Sequence, residues 1–305
     1  MNILVIGNGF DLAHGLPTKY TDFLNWIVAE VEFYDDLKKQ KDELTNSINV
    51  TLKIPKNKKR KTEINKRIEK QIQLWECIDN NVWFNYFLQC KMYQKENWID
   101  FEKEISETIK SIDNDMKFGE FDKNTIVKNI TNPFFSEYFL EDLEEKKNEQ
   151  NEKFFELYPN KPISELSKLK EEYEKEHPIE SLKCEITYSG LIKILLNDLN
   201  RLTRALEIYL TEYVESKERK VKELVYIKEL EISHVISFNY SHTYEKKYNV
   251  GKNIEYDYIH GEVNINNTIE TNNMVLGMDE YLPDDRRNKD IEFIAFKKFY
   301  QRIYK

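Results

Sequence analysis

Cysteine, histidine and glycine are scarce in this chain, and each shortage excludes something. The three cysteines, Cys77, Cys90 and Cys184, lie far apart and form no CxxC pair. A disulfide framework and a zinc site are therefore not expected, and the reading is a protein of the reducing cytoplasm. Five histidines are scattered, without an HExxH pair, and no metal is expected. There is no run of 18 apolar residues, so no transmembrane helix and no membrane partner are expected. The apolar start Asn2-Ile3-Leu4-Val5-Ile6 has no basic flank and meets Gly7, which reads as a strand and not as a signal peptide. There is no excess of positive charge either. The net charge of −9 gives no global reason to bind nucleic acid.

Only eight glycines are present in 305 residues, and their placement divides the chain. Gly7, Gly9 and Gly15 lie at the start, Gly251, Gly261 and Gly277 near the end, and only Gly119 and Gly190 between. Glycine marks tight turns and close backbone approach, so the two ends look like a strand-and-loop domain. Short apolar runs support this: Ile3–Ile6, His234–Phe238, Tyr256–Ile259 and Met274–Leu276 read as buried parallel strands.

What is abundant is charge of both signs, at 33%, with 13% aromatics. That combination suits long helices with one buried stripe. Leu195, Leu199, Leu202, Leu206, Leu210 and Tyr213 recur at helical spacing, which predicts one long helix over about 189–230. Segments 62–95 and 97–116 also read as helical, with Trp75, Trp83 and Trp98 as core anchors. The expected fold class is α/β: a Rossmann-like parallel sheet formed by residues 1–30 and 231–305, with residues 31–230 as a large all-helical insertion. Residues 53–70 carry nine Lys/Arg against two Glu, and residues 141–180 thirteen acids against seven bases. Both read as solvated faces or connectors, with contact of 53–70 to nucleic acid left open.

Four segments carry chemistry. The first is Gly7-Asn8-Gly9-Phe10-Asp11 followed by Gly15-Leu16-Pro17-Thr18 and Tyr20. A strand, a glycine loop and a helix in that order suit a phosphate-bearing nucleotide. The spacing is neither GxGxxG nor a P-loop, so dehydrogenase and ATPase chemistry lose support. The second is the polar Asn239, with Tyr240, at the end of an apolar strand, where open α/β sheets bind ligands. A helix cap is the alternative for Asn239. The third is His260-Gly261, a strand-end imidazole followed by a turn residue, either structural or catalytic. The fourth is Leu276-Gly277-Met278-Asp279, a further loop exit that would line the same crevice.

Taken in order, GNGFDLAHGLPTKYTDFL, NWIDFE (Asn97 to Glu102), SFNYSHTYE, YIHG and LGMD resemble the AbiH family of bacterial abortive-infection phage-defence proteins, from end to end. At greater distance the pattern is similar to sirtuin-like domains, which have a glycine loop ending in Gly-Ile-Pro, an asparagine strand end and a His-Gly pair. That resemblance implies NAD as substrate or ligand and hydrolysis of its nicotinamide–ribose bond. On that mapping Gly7, Gly9, Gly15 and Pro17 fall on the nucleotide loop, and Asn239 and His260 on the family's catalytic asparagine and histidine. The residues themselves add Asp11 to catalysis, through the ribose or the developing positive charge, and Asn8, Phe10, Tyr20, Tyr240, Gly261 and Gly277 to cofactor binding. Sirtuin deacetylation is disfavoured, because no CxxC pair builds a zinc module. The chain departs from these patterns twice. Asp11 stands where sirtuins carry a small residue. The chain also stops at Lys305, before the further strand with Gly-His-Ser-Leu expected of AbiH-like proteins, and so looks C-terminally truncated. A non-catalytic nucleotide sensor, a nucleic-acid-targeting toxin and an inactive form are the competing readings. A phage-derived trigger and a homo-oligomer stay open.

Overall fold

The computed structural model describes residues 2–30, 70, 72–93, 100–118, 124–141, 151–154, 156–158, 169–170, 172–173, 186–218, 221–249, 253–278 and 291–304. The chain divides into two compact units. One comprises Met1–Ile105 with Leu195–Lys305, the other Ser106–Ile194.

The first unit holds a three-stranded parallel sheet in the order β1 (Ile3–Ile6), β2 (His234–Ser237), β3 (Glu255–Tyr258). The register sets Ile6 beside Ser237 and Ser237 beside Tyr258, so all three strands end level. The chain is thus mixed α/β, a small parallel sheet among mostly helices. The first unit also holds α1 (Asn8–Ala13), helical residues 20–30 (α2) and 72–78 (α3), and α4 (Val82–Tyr93). The helices α5 (Phe101–Phe118) and α7 (Tyr188–Tyr209) each contain a boundary between the units. The first unit also includes α8 (Thr243–Tyr248) and α9 (Lys298–Tyr304).

The sheet is buried on one face only, which corrects the expectation of fully buried strands. Leu4, Val235 and Tyr256 share a row on the covered face, with Ile6 one pleat further on. They pack with Tyr244 and Tyr248 of α8. On the opposite face Ile3 and Val5 are 48% and 60% exposed, and His234 bonds Asp257 at 2.9 Å. An unbroken apolar run in β1 imitates a strand covered on both sides, although its pleat alternates like any other. Met274–Leu276 is deeply buried but forms no strand ladder. Single bonds hold it instead, Val275 N donating to His260 O at 2.9 Å and the Tyr240 hydroxyl to Val275 O at 2.8 Å.

The leucine stripe of α7 is buried as its spacing requires, from Leu195 to Leu210. The helix does not run on to residue 230, however. It widens into a π turn at Leu210–Val214, closes with Glu215–Glu218, and a separate turn follows at Val225–Lys228. At the widening, the Thr211 hydroxyl donates back to Glu207 O and Ile208 O, a competition with the helix ladder that favours such bulges. Residues 62–95 likewise break where described. Asn80 takes a positive φ of 50° between α3 and α4. Trp83 is a fully buried anchor and Trp75 is half-buried. Trp98, nearly all of the basic run 53–70 and most of the acidic run 141–180 lie outside the described residues.

In the second unit the Asn132 side chain caps the turn α6 (Pro133–Ser136) by accepting from Phe134 N and Phe135 N. Ile126 and Thr187 form one antiparallel bridge. Among the described residues no helix is long and apolar enough to cross a membrane.

Candidate functional site

Each strand of the sheet delivers one polar side chain to the same place. Asn8, Asn239 and His260 lie two positions beyond Ile6, Ser237 and Tyr258, the level ends of β1, β2 and β3. All three line a cavity of about 310 Å³ at the carboxyl end of the sheet. Open parallel sheets bind ligands there because adjacent loops diverge.

The helix α1 presents two faces. Asn8 and Asp11, three residues apart, face the cavity. Phe10 and His14, four apart, pack against Tyr248 on the opposite side. A carbonyl only accepts, so His14 Nδ1 donates to Phe10 O at 2.7 Å, and in the neutral ring Nε2 accepts from the Tyr248 hydroxyl at 2.6 Å. The same hydroxyl accepts from Leu224 N at 2.9 Å. Gly15, at φ +72°, turns the chain after α1. The turn returns Thr18 and Tyr20 to the cavity, and the Thr18 hydroxyl donates to the Asn8 side-chain oxygen.

Asp11 is the most unusual group in the site. It is 2% exposed. One carboxylate oxygen accepts from the Ser241 hydroxyl, and the other has no partner. Burial pushes its carboxyl above the ordinary range, and Ser241, Thr243, His14 and the nearby Asn239 amide offset this only in part. Asn239 is 4% exposed, and neither its side-chain nitrogen nor its oxygen has a hydrogen-bond partner of ordinary geometry. Its own turn is held by Ser237, whose hydroxyl accepts from Asn239 N and donates to Asn239 O, both at 3.1 Å. A buried amide with two empty bonding directions is costly unless something fills them.

The remaining wall is aromatic and acidic. Tyr20 stacks on Phe101 with ring centres 4.2 Å apart, and Phe87 stacks on the other side of Phe101 at 3.8 Å. This triple stack fixes the start of α5, where Asp100 caps the helix by accepting from Glu102 N and Lys103 N, each at 3.1 Å. Asp100 and Glu102 thereby join the cavity. Burial pushes the Tyr20 hydroxyl up, with Tyr240, Glu102 and Asp100 adding to it, and burial and then Glu102 push up Tyr240, partly offset by its bond with Tyr20. Lys298 enters from α9 and pairs with Glu102. Gly277 permits that approach, since a Cβ there would stand 2.2 Å from Phe296 O.

Of the residues singled out in the sequence, Asp11, Asn239, His260, Asn8, Tyr20 and Tyr240 line the cavity. Gly7, Gly9, Phe10, Gly15, Pro17, Gly261 and Gly277 do not. Phe10 belongs to the core, Pro17 O accepts from the Tyr209 hydroxyl, and Gly7 and Gly9 face open space where a Cβ would stand. Sequence reasoning gave no site role to Asp100, Glu102 or Lys298. The available signal was NWIDFE, whose Asp-x-Glu follows a tryptophan and begins a helix. Among the described residues no group of three or more His, Cys, Asp or Glu is placed to hold a metal ion.

Beside the cavity lies a second ionisable cluster. His242 Nε2 donates to Glu262 at 2.8 Å and Nδ1 to Glu215 at 3.1 Å, while Lys246 pairs with Glu215 at 2.6 Å and the Tyr258 ring stands against the imidazole. Two acceptor-only partners require both ring nitrogens to be protonated. Burial alone would lower the His242 pKa, but the carboxylates overcome it and the net direction is up. Burial would raise Glu215, and His242 and Lys246 overcome that too, so its net direction is down. A raised histidine contributes its full stability below its unfolded pKa, about 6.5, and loses it as pH rises through the folded value. A depressed carboxylate contributes fully above its unfolded value of roughly 4.3 and loses it as pH falls. The cluster is therefore strongest between about pH 4.5 and 6.5. His242→Gln is expected to cost about 0.5–1 kcal/mol there and progressively less at higher pH. Thermal melts of both proteins from pH 5 to 9 check this, and a pH-independent difference counts against it.

Comparison with known proteins agrees with the motif order. A family model described as Bacteriophage abortive infection AbiH matches residues 3–305. No curated protein and no solved structure matches the chain.

Proposed function

The chain belongs to the AbiH family of bacteriophage abortive-infection proteins, and on that premise we propose that it binds NAD and cleaves its nicotinamide–ribose bond. The observation that carries the reading is the convergence of Asn8, Asn239 and His260 beyond three level strand ends, beside the buried Asp11. The sirtuin-like order of glycine loop, asparagine and histidine supports it.

The nicotinamide riboside end would occupy the cavity, with the pyrophosphate running over the open Gly7–Gly9 backbone. Water adds at the anomeric carbon, the bond to the pyridinium nitrogen breaks, and its electron pair neutralises the ring. The products are nicotinamide, ADP-ribose and one proton. Asn239, with one donor and one acceptor unused, positions the water or a ribose hydroxyl. His260 orients the ribose or accepts the water's proton. Asp11, when ionised, stabilises the oxocarbenium-like charge. Its raised pKa predicts that activity climbs with pH as the carboxyl loses its proton.

The test is to incubate pure protein with NAD and follow nicotinamide release. Asn239→Ala and His260→Ala are each expected to slow release by about 10²-fold or more, within the range of roughly 10²–10⁴ typical of positioned acid–base groups. No release, combined with a rise in melting temperature on adding NAD, turns the reading into a non-catalytic sensor. Undiminished release in both variants sinks the site assignment.

A further inference from the structure

The charge of the cavity bears on which part of a ligand it takes. Among the described residues three carboxyl groups line it, Asp11, Asp100 and Glu102, against one ammonium, Lys298, which is already paired with Glu102. The walls between them are the rings of Tyr20, Phe238 and Tyr240. A phosphate entering here would meet a surplus of like charge and find its one lysine engaged. A cation enclosed by aromatic rings and carboxylates is favoured on both counts. At about 310 Å³ the cavity lies at the low end of the roughly 300–1,000 Å³ usual for small-molecule sites, room for one nucleoside-sized part. The buried Asn239 amide lies near Asp11 but has no hydrogen-bond partner of ordinary geometry, and its donor and acceptor groups are the complement of a carboxamide or a ribose diol.

We infer that the cavity selects a cationic N-riboside, with the positive charge on the ring bonded to ribose, and that phosphate groups of the ligand stay outside it. This rests on the N-riboside reading above and adds a charge rule to it. Cleavage removes that charge, since the released ring is neutral, so the same field that holds the substrate does not hold the product.

Three probes separate the elements by calorimetric titration of the full chain at low ionic strength. They are nicotinamide riboside, its neutral dihydro form, and nicotinamide mononucleotide, which adds a phosphate. The cationic riboside is expected to bind at least tenfold tighter than the dihydro form, and the mononucleotide no tighter than the riboside. Asp100→Asn keeps the helix cap and removes one cavity charge, and is expected to narrow the tenfold preference severalfold. Equal binding of both ribosides, a mononucleotide tenfold tighter than the riboside, an unchanged preference in Asp100→Asn, or no riboside binding overturns the inference. NAD binding without riboside binding rejects the charge rule and leaves the NAD reading standing. Riboside binding by charge without NAD cleavage does the reverse.

Discussion

Glu207→Ala is expected to lower the unfolding free energy of the sheet-bearing unit by about 3–5 kcal/mol, the cost of breaking a buried ion pair from one side. Glu207 is fully buried on α7. One carboxylate oxygen accepts from Arg204 and from the Asn272 side chain at 2.8 Å. The other accepts from Asn264 N at 2.8 Å and from the Asn267 side chain at 2.6 Å. Four donors thus converge on one side chain, three of them from the loop that follows His260. Removing the acceptor strands the buried Arg204 guanidinium and the buried Asn272 amide together. Glu207→Gln keeps the shape but turns an NH₂ toward two donors, and is expected to cost about 1–3 kcal/mol. Urea unfolding followed by tryptophan fluorescence measures both. A Glu207→Ala midpoint equal to wild type would show that the loop does not depend on this carboxylate.

Gly261→Ala is the second large effect, expected to cost about 2–5 kcal/mol from two sources, a left-handed backbone and overpacking. Gly261 has φ +82°, and a Cβ there would lie 2.2 Å from Asn273 O and 2.8 Å from Met274 Cα. Both obstacles are main chain and cannot swing aside. Relief requires the 261–274 loop to open, which moves His260 O away from Val275 N. The proposed NAD cleavage should therefore fall beyond what the stability loss explains, measured at a temperature where both proteins remain folded. Gly9→Ala is the control, because a Cβ at Gly9 meets nothing within 4 Å. It is expected to leave stability within about 1 kcal/mol of wild type. A Gly261→Ala variant as stable as Gly9→Ala would contradict the close approach.

Much of this was legible in the chain, and the reasons differ by residue. Strands β1, β2 and β3 announce themselves because short apolar runs end in Gly7, Asn239 and His260-Gly261, residues that suit exits better than pleats. The α7 stripe is legible because six apolar residues keep one helical face. Its end at the π turn is not, because the interruption comes from Thr211 bonding backward, a local choice that apolar spacing does not record. Met274–Leu276 has a strand's composition, but its backbone partners are set by the Gly261 contact and not by a ladder. Phe10 sits within the glycine motif, yet its side chain serves the core, since alternate sides of a short helix do different work. Asp100 and Glu102 escape notice because their position depends on Phe101 being clamped between Tyr20 and Phe87, a contact between distant segments.

The level strand ends also set how tightly loop length is constrained. Gly7, Phe238 and Ile259 each act as a spacer between the last paired residue and Asn8, Asn239 or His260, which line the cavity. Deleting any one of them draws its partner back by one residue, about 3.3 Å of extended chain, toward the strand end. Those three positions accept changes of side chain more readily than changes of number, and a single-codon deletion there would take a side chain out of the cavity while leaving Asn8, Asn239 and His260 in the sequence.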